Sequence, residues 1–236
     1  MTETHAAPRI ETFPDKTALA AAAAGVLGQA LDRRLSEGSA RARLMVTGGS
    51  SPVACYDKLK DWPLDWSRVD VALTDDRFVP PSAPESTEAL VRQHLLQGAA
   101  AVASLTPLWS DAPTPEEAAA RAEPAIRALG TFDAVLLGVG PDGHICSLFP
   151  NSPEAAEGLD PAAKRLVIGV AKAGQPPYVP RITLTLPAIL NASLVVILVS
   201  GTDKKQVIES ALAGADLPVR AVLAQDRTPV RILWAA

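Results

Sequence analysis

Six short, mostly apolar runs separated by turn residues constrain the fold of this chain more than any other feature. They cover residues 43–47, 69–74, 132–138, 166–170, 194–200 and 230–234. Runs of this length and composition suit strands buried on both faces. Helical spacing appears at 16–36, 53–60, 86–97, 115–129 and 203–213. Strands alternating with helices give an α/β chain with a largely parallel sheet, its faces covered by helices. Asp15 is placed to cap the first helix and Gly38 to follow its end. Residues 1–12 read as a loose tail or a first edge strand, and 80–84 and 174–180 as proline-bearing loops. No linker or repeat breaks the pattern, so residues 1–236 are expected to form one domain, with room for a small sub-lobe.

Charge and cysteine content narrow the function. The 236 residues carry 22 basic and 26 acidic side chains, a net charge of −4. That balance argues against a nucleic-acid or anionic-membrane partner. The Ala-rich run at 18–27 resembles a secretory apolar region, but Glu3, Glu11 and Asp15 supply acid where a signal peptide needs net positive charge. The run is also too short to span a bilayer. Two distant cysteines, Cys55 and Cys146, make no disulfide framework, so a reduced cytoplasmic setting is expected. His5, His94 and His144 are too scattered for a zinc spacing. No metal and no cofactor are expected, and the chain is expected to be a monomer or a weak homodimer.

In open α/β sheets ligands sit beyond the carboxyl ends of the strands. After the first run comes Gly48-Gly49-Ser50-Ser51-Pro52. Its glycines allow close backbone approach, and Ser51 is placed to cap the next helix, whose start attracts anions. The same residues also make an ordinary tight turn. After the second run comes Asp75-Asp76-Arg77, two carboxylates beside a compensating arginine; a solvated charged loop explains it equally. After the third comes Gly138-Val139-Gly140-Pro141-Asp142-Gly143-His144, followed by Ile145-Cys146-Ser147-Leu148-Phe149-Pro150. It holds Asp142 close to His144, whose unperturbed pKa suits proton transfer near neutrality. Gly138, Gly140 and Gly143 also match a dinucleotide fingerprint, but Pro150 leaves no room for the crossover helix such a site needs. After the fifth run come Gly201-Thr202-Asp203-Lys204-Lys205, with Thr202 placed as a cap. Two lysines in a first helical turn oppose the macrodipole by roughly 0.3–1 kcal/mol each. A bound anion would compensate them, and so would solvent. Arg181 sits beside an alternating apolar run and offers a planar fork to phosphate. Together these loops suggest a small, phosphorylated substrate handled by acid–base chemistry.

The combined motifs resemble the 6-phosphogluconolactonase family over most of the chain. Gly138-x-Gly140-x-Asp142-Gly143-His144-x-x-Ser147-Leu148-Phe149-Pro150 carries the resemblance, supported by Gly48-Gly49-Ser50, Asp75 to Pro80, Arg92, Arg181-Ile182-Thr183, and Gly201 with Lys204. The related glucosamine-6-phosphate deaminases share the Gly-x-Asp-Gly-His core but continue Ala-Phe-Asn-Glu-Pro; here Phe149 replaces the glutamate. Asp76 stands where glutamate is common, Cys146 where alanine is common, and Ser86-Thr87 where Ser-Asn is typical. Cys146 reads as a packed thiol rather than a nucleophile.

The resemblance implies a Rossmann-like, sugar-phosphate isomerase-like fold and hydrolysis of a phosphorylated sugar lactone. In that reading His144 is the general base and Asp142 orients the loop or the substrate, with Asp75 and Arg77 completing the catalytic set. Backbone N–H groups around Gly140–Gly143, or Arg77, would face the oxyanion. Gly48, Gly49, Ser50, Arg181 and Lys204 would hold the phosphate, with Arg77 and Arg92 sharing that work. An amino-sugar-phosphate deaminase, a non-catalytic sugar-phosphate sensor and a dinucleotide-dependent oxidoreductase are the competing expectations.

Overall fold

The computed structural model describes residues 8–174 and 178–236. Residues 1–7 of the expected tail and 175–177 of the expected loop lie outside them. β1 (Ile10–Thr12) leads into α1 (Lys16–Ser36). Asp15 caps α1 by accepting from the Ala18 N–H at 2.7 Å, and Gly38 leaves the helix at φ 87°. Leu19, Ala23, Leu27 and Leu31 recur every fourth residue and form its buried face. Next come β2 (Ala42–Val46), α2 (Val53–Leu59), β3 (Val69–Leu73), β4 (Asp75–Arg77), α3 (Thr87–His94) and β5 (Ser104–Thr106). After α4 (Pro115–Leu129) and β6 (Ala134–Leu137) come α5 (Pro153–Gly158), β7 (Val167–Val170) and β8 (Arg181–Leu184). The chain ends with α6 (Leu186–Leu190), β9 (Val195–Ser200), α7 (Thr202–Leu212), α8 (Arg220–Leu223) and β10 (Val230–Ala235).

Seven strands form one sheet in the order β1-β10-β9-β6-β2-β3-β5, and every pair is parallel. β3, β6 and β9 are buried almost throughout, as a sheet covered on both faces demands. The chain runs outward from β2 through β3 to β5. It then returns to β6 on the other side of β2 and runs outward again through β9 to β10. This reversal opens a crevice between the carboxyl ends of β2 and β6. Residues 10–12 form an edge strand beside β10, one of the two expected forms of the N-terminal segment.

A second, antiparallel sheet of order β4-β8-β7 stands beside the first, the place the expected sub-lobe takes. Thr74 joins the two sheets. Its N–H donates to Val46 of β2 at 2.8 Å, and its carbonyl accepts from Leu184 of β8 at 2.9 Å. β7 is an edge strand, and α4 satisfies its backbone. The Glu123 carboxylate accepts from the Leu166 and Val167 N–H groups, and Glu116 accepts from the Gly169 N–H. Covering an edge in this way removes a template for pairing with another chain. One hydrophobic cluster includes residues of both sheets, among them Val135, Ile197, Val167 and Ile182. Among the described residues no helix is long and apolar enough to cross a membrane.

Two expected caps are corrected. Ser51 does not cap α2, because its hydroxyl pairs with that of Ser200 at 3.0 Å and Pro52 takes the cap position. Thr202 is the first residue of α7, and Gly201, at φ 88°, is the uncapped turn before it.

Candidate active site

A cleft of about 260 Å³ occupies the crevice. It gathers Gly48, Gly49 and Ser50 from the loop after β2, Gly140 and His144 from the loop after β6, Asp75 and Arg77 from β4, Arg181 from β8, and Lys204 from α7. Residues up to 156 positions apart thus meet because their strands end on one side of the parallel sheet or pair in the adjoining one. Tyr56 of α2 fixes the entry to the glycine loop, with its hydroxyl donating to the Thr47 carbonyl at 2.5 Å and accepting from the Thr47 N–H at 3.1 Å. Thr87 closes over Gly48, where a Cβ would meet its hydroxyl at 2.8 Å.

His144 is held on several sides. Its Nδ1 lies 2.5 Å from Asp142 Oδ1, which also accepts the His144 N–H at 3.2 Å. With the carboxylate as acceptor, the ring proton sits on Nδ1 and Nε2 is left bare to take a proton. The Phe149 ring packs on the imidazole at 4.3 Å between centroids. A Cβ on Gly140 would overlap the imidazole, so that position requires glycine. Gly143 turns the loop at φ 81° and packs against Leu217 rather than lining the cleft.

The hydrogen bonds narrow the groups that are free to meet an anion. The Gly140 N–H donates to the His144 carbonyl at 2.9 Å, and the Gly143 N–H to the Gly140 carbonyl at 3.1 Å. Of the backbone donors expected around Gly140–Gly143, these two are therefore committed to the loop. Arg77 uses one N–H on the Glu85 carbonyl at 3.2 Å and retains the rest of its fork.

Positive charge outweighs acid in the cleft, where Arg77, Arg181 and Lys204 stand with the single carboxylate of Asp75. Arg77 and Arg181 are directly opposite in the β4–β8 ladder, an unfavourable pairing of like charges. Burial, and then the charge of Arg77, push the Arg181 guanidinium below its ordinary value, with Asp75 and Asp76 opposing, and its Nε is buried without a hydrogen-bond partner among the described residues. Lys204 forms no ion pair among the described residues, whereas Lys205 is satisfied by Glu209 at 3.5 Å and by the Trp234 face at 4.4 Å. Arg92 is not brought to the cleft. It bonds Glu88 on its own helix at 2.8 Å, the (i, i+4) partner that sequence spacing offers it.

Two neighbours have structural roles. Burial, and after it the charge of Asp75, hold the Cys146 thiol well above its ordinary value, so it stays protonated and unreactive. Asp76 is fully buried and caps α3, accepting from the Thr87 N–H at 2.6 Å, the Glu88 N–H at 3.2 Å and the Ser86 hydroxyl at 3.3 Å. Sequence reading missed the roles of Tyr56, Asp76 and Thr87. Only the Ser-Thr-Glu run before an apolar segment signals the cap. Among the described residues no three His, Cys, Asp or Glu side chains gather to hold a metal ion.

Fold and site define an α/β protein with a cationic cleft and an oriented histidine at the crossover of its parallel sheet. A family model described as glucosamine-6-phosphate isomerases/6-phosphogluconolactonase matches residues 14–234. A 6-phosphogluconolactonase of Caulobacter vibrioides is 44% identical over 227 residues, covering 96% of this chain and 97% of that protein. Another from Mesorhizobium japonicum is 42% identical, covering 94% and 93%. The crystal structure of a 6-phosphogluconolactonase from Shewanella baltica superposes with a TM-score of 0.91 at 35% identity, covering 97% and 98%. The chain belongs to the glucosamine-6-phosphate isomerase/6-phosphogluconolactonase family.

The Asp76 carboxyl is pushed up to about 6, by burial first, with the Thr87 and Glu88 N–H groups opposing and the charge of Asp75 adding. Its ordinary value is 3.8. Between the two values the folded chain holds a proton that the unfolded chain has released, so stability falls as pH rises through that window. Relative to Asp76→Asn, wild type should lose up to about 3 kcal/mol between about pH 4 and about pH 7. Urea midpoints for both chains across that range check this, and a level difference would contradict it.

Proposed function

We propose that the chain hydrolyses 6-phospho-D-glucono-1,5-lactone to 6-phospho-D-gluconate, the lactonase step of the oxidative pentose phosphate pathway. One observation carries this reading: an imidazole oriented by Asp142 shares a cleft with Arg77, Arg181 and Lys204, none of which forms an ion pair among the described residues. The near full-length relatives named 6-phosphogluconolactonase support the same chemistry.

His144 Nε2 takes a proton from water, and the hydroxide so formed attacks the lactone carbonyl. Negative charge moves to the carbonyl oxygen, where the Arg77 guanidinium meets it. Collapse of this intermediate breaks the bond to the ring oxygen, which receives the proton from His144. The opened acid then ionises. A lactone is an activated ester, and the step as written uses neither cofactor nor covalent nucleophile. Gly48, Gly49 and Ser50 bring backbone close to the phosphate, and Arg181 and Lys204 neutralise it. The deaminase reading loses support at Phe149, whose ring covers His144 where deaminases carry a glutamate. The proposed setting is cytoplasmic, in keeping with two free, buried cysteines.

Acid release from lactone made in place from glucose 6-phosphate tests the reaction against its spontaneous opening. His144→Ala should cost about 100–10,000-fold in rate; an undiminished rate would remove His144 as the base. Arg181→Ala should raise KM for the phosphorylated lactone by about 10–100-fold, as expected for a lost hydrogen bond to a charged group, while leaving gluconolactone nearly unaffected. Equal effects on both substrates would refute phosphate binding by Arg181.

A further inference from the structure

Asp75 belongs to the catalytic set expected from the sequence, yet both its carboxylate oxygens are engaged by the scaffold. Oδ1 accepts from the Thr74 hydroxyl at 3.1 Å and Oδ2 from the Ser147 hydroxyl at 2.6 Å. Ser147 has no exposed surface, so its hydroxyl is not a substrate ligand. Its backbone N–H donates to the Thr183 hydroxyl of β8 at 3.1 Å. Ser147 is thus tied to both β4 and β8, the strands that carry Arg77 and Arg181.

The chain between His144 and Ser147 is strained. The Leu148 N–H closes a tight turn on the Ile145 carbonyl at 2.9 Å, and Cys146 within it sits at φ 52°. Left-handed backbone is unfavourable for a residue with a Cβ and persists where its surroundings over-determine it. The determinants are present on both sides. Upstream, the Gly140 N–H holds the His144 carbonyl; downstream, Asp75 and Thr183 hold Ser147.

We infer that Ser147 is a positioning residue, whose bonds to Asp75 and Thr183 set where His144 stands in the cleft, and that Asp75 serves as the acceptor of this clamp rather than as an acid or base. The inference rests on the lactonase reading. A base displaced by a fraction of an ångström still lets substrate bind but loses the geometry of proton transfer. The signature is therefore a loss in kcat without a loss in KM.

Steady-state kinetics of wild type, Ser147→Ala, Asp75→Ala and the double variant test it. Each single variant should lose about 10–100-fold in kcat, with KM for the phosphorylated lactone within about twofold of wild type. The double variant should be no worse than the worse single one, because both remove the same bond. The pH–rate profile of Asp75→Ala should keep its limbs, since His144 remains the base. Should Ser147→Ala fail to fold, Thr183→Val removes the other anchor and should lower kcat severalfold at unchanged KM. Full kcat in Ser147→Ala or, in its place, in Thr183→Val would overturn the clamp. So would losses that multiply in the double variant, or a missing limb in Asp75→Ala. A wild type that does not accelerate lactone opening overturns the functional reading itself, an outcome distinct from a lactonase indifferent to Ser147.

Discussion

Seven parallel strands end on the same side of one sheet, and the placement of the cleft follows from that. The connections after β2, β6 and β9 are forced to emerge together, and the reversal between β2 and β6 leaves a gap among them. Thr74 then turns the chain from this sheet into the antiparallel one within a single residue. That step delivers Asp75 and Arg77 to the rim of the gap, and pairing with β8 sets Arg181 opposite Arg77.

The proposed phosphate ligand accounts for the charge distribution. The chain as a whole is acidic, with a net charge of −4, yet its cleft places two arginines face to face and leaves Lys204 without an acidic partner among the described residues. Like charges across a ladder weaken the sheet, and an uncapped helix start leaves backbone N–H groups unmatched. In the proposed function a phosphate at this point answers both deficits. His144 lies beside that charge, backed by Asp142, Phe149 and Gly140 on a loop that Ser147 ties to β4 and β8. Binding and chemistry therefore share one set of supports.

Much of this was legible in the sequence. The six apolar runs became strands of the parallel sheet or, for 166–170, of the smaller one, and α1 and α4 keep their expected limits of 16–36 and 115–129. Long apolar periodicity survives any tertiary context because the core demands it. β4 was not legible, because Asp75-Asp76-Arg77 has no apolar alternation and becomes a strand only through β8, roughly a hundred residues away in the chain. The glycine-rich loops announced themselves as places of close backbone approach. Arg92 misled because a helical arginine four residues after a glutamate has a local partner that outcompetes a distant cleft. The Thr202 cap failed because Gly201 already makes the turn with a backbone angle open to it. Ser147 sat in plain view within the motif, but its partner lies 72 positions away and only the fold brings them together.

The most direct test is a crystal structure of the chain with 6-phosphogluconate bound. The account places the phosphate against the backbone of Gly49 and Ser50, within reach of Arg181 and Lys204, and the carboxylate beside His144 Nε2 and Arg77. A product lying reversed in the cleft, with its carboxylate on Lys204 and its phosphate at His144, or bound outside the cleft altogether, would contradict it.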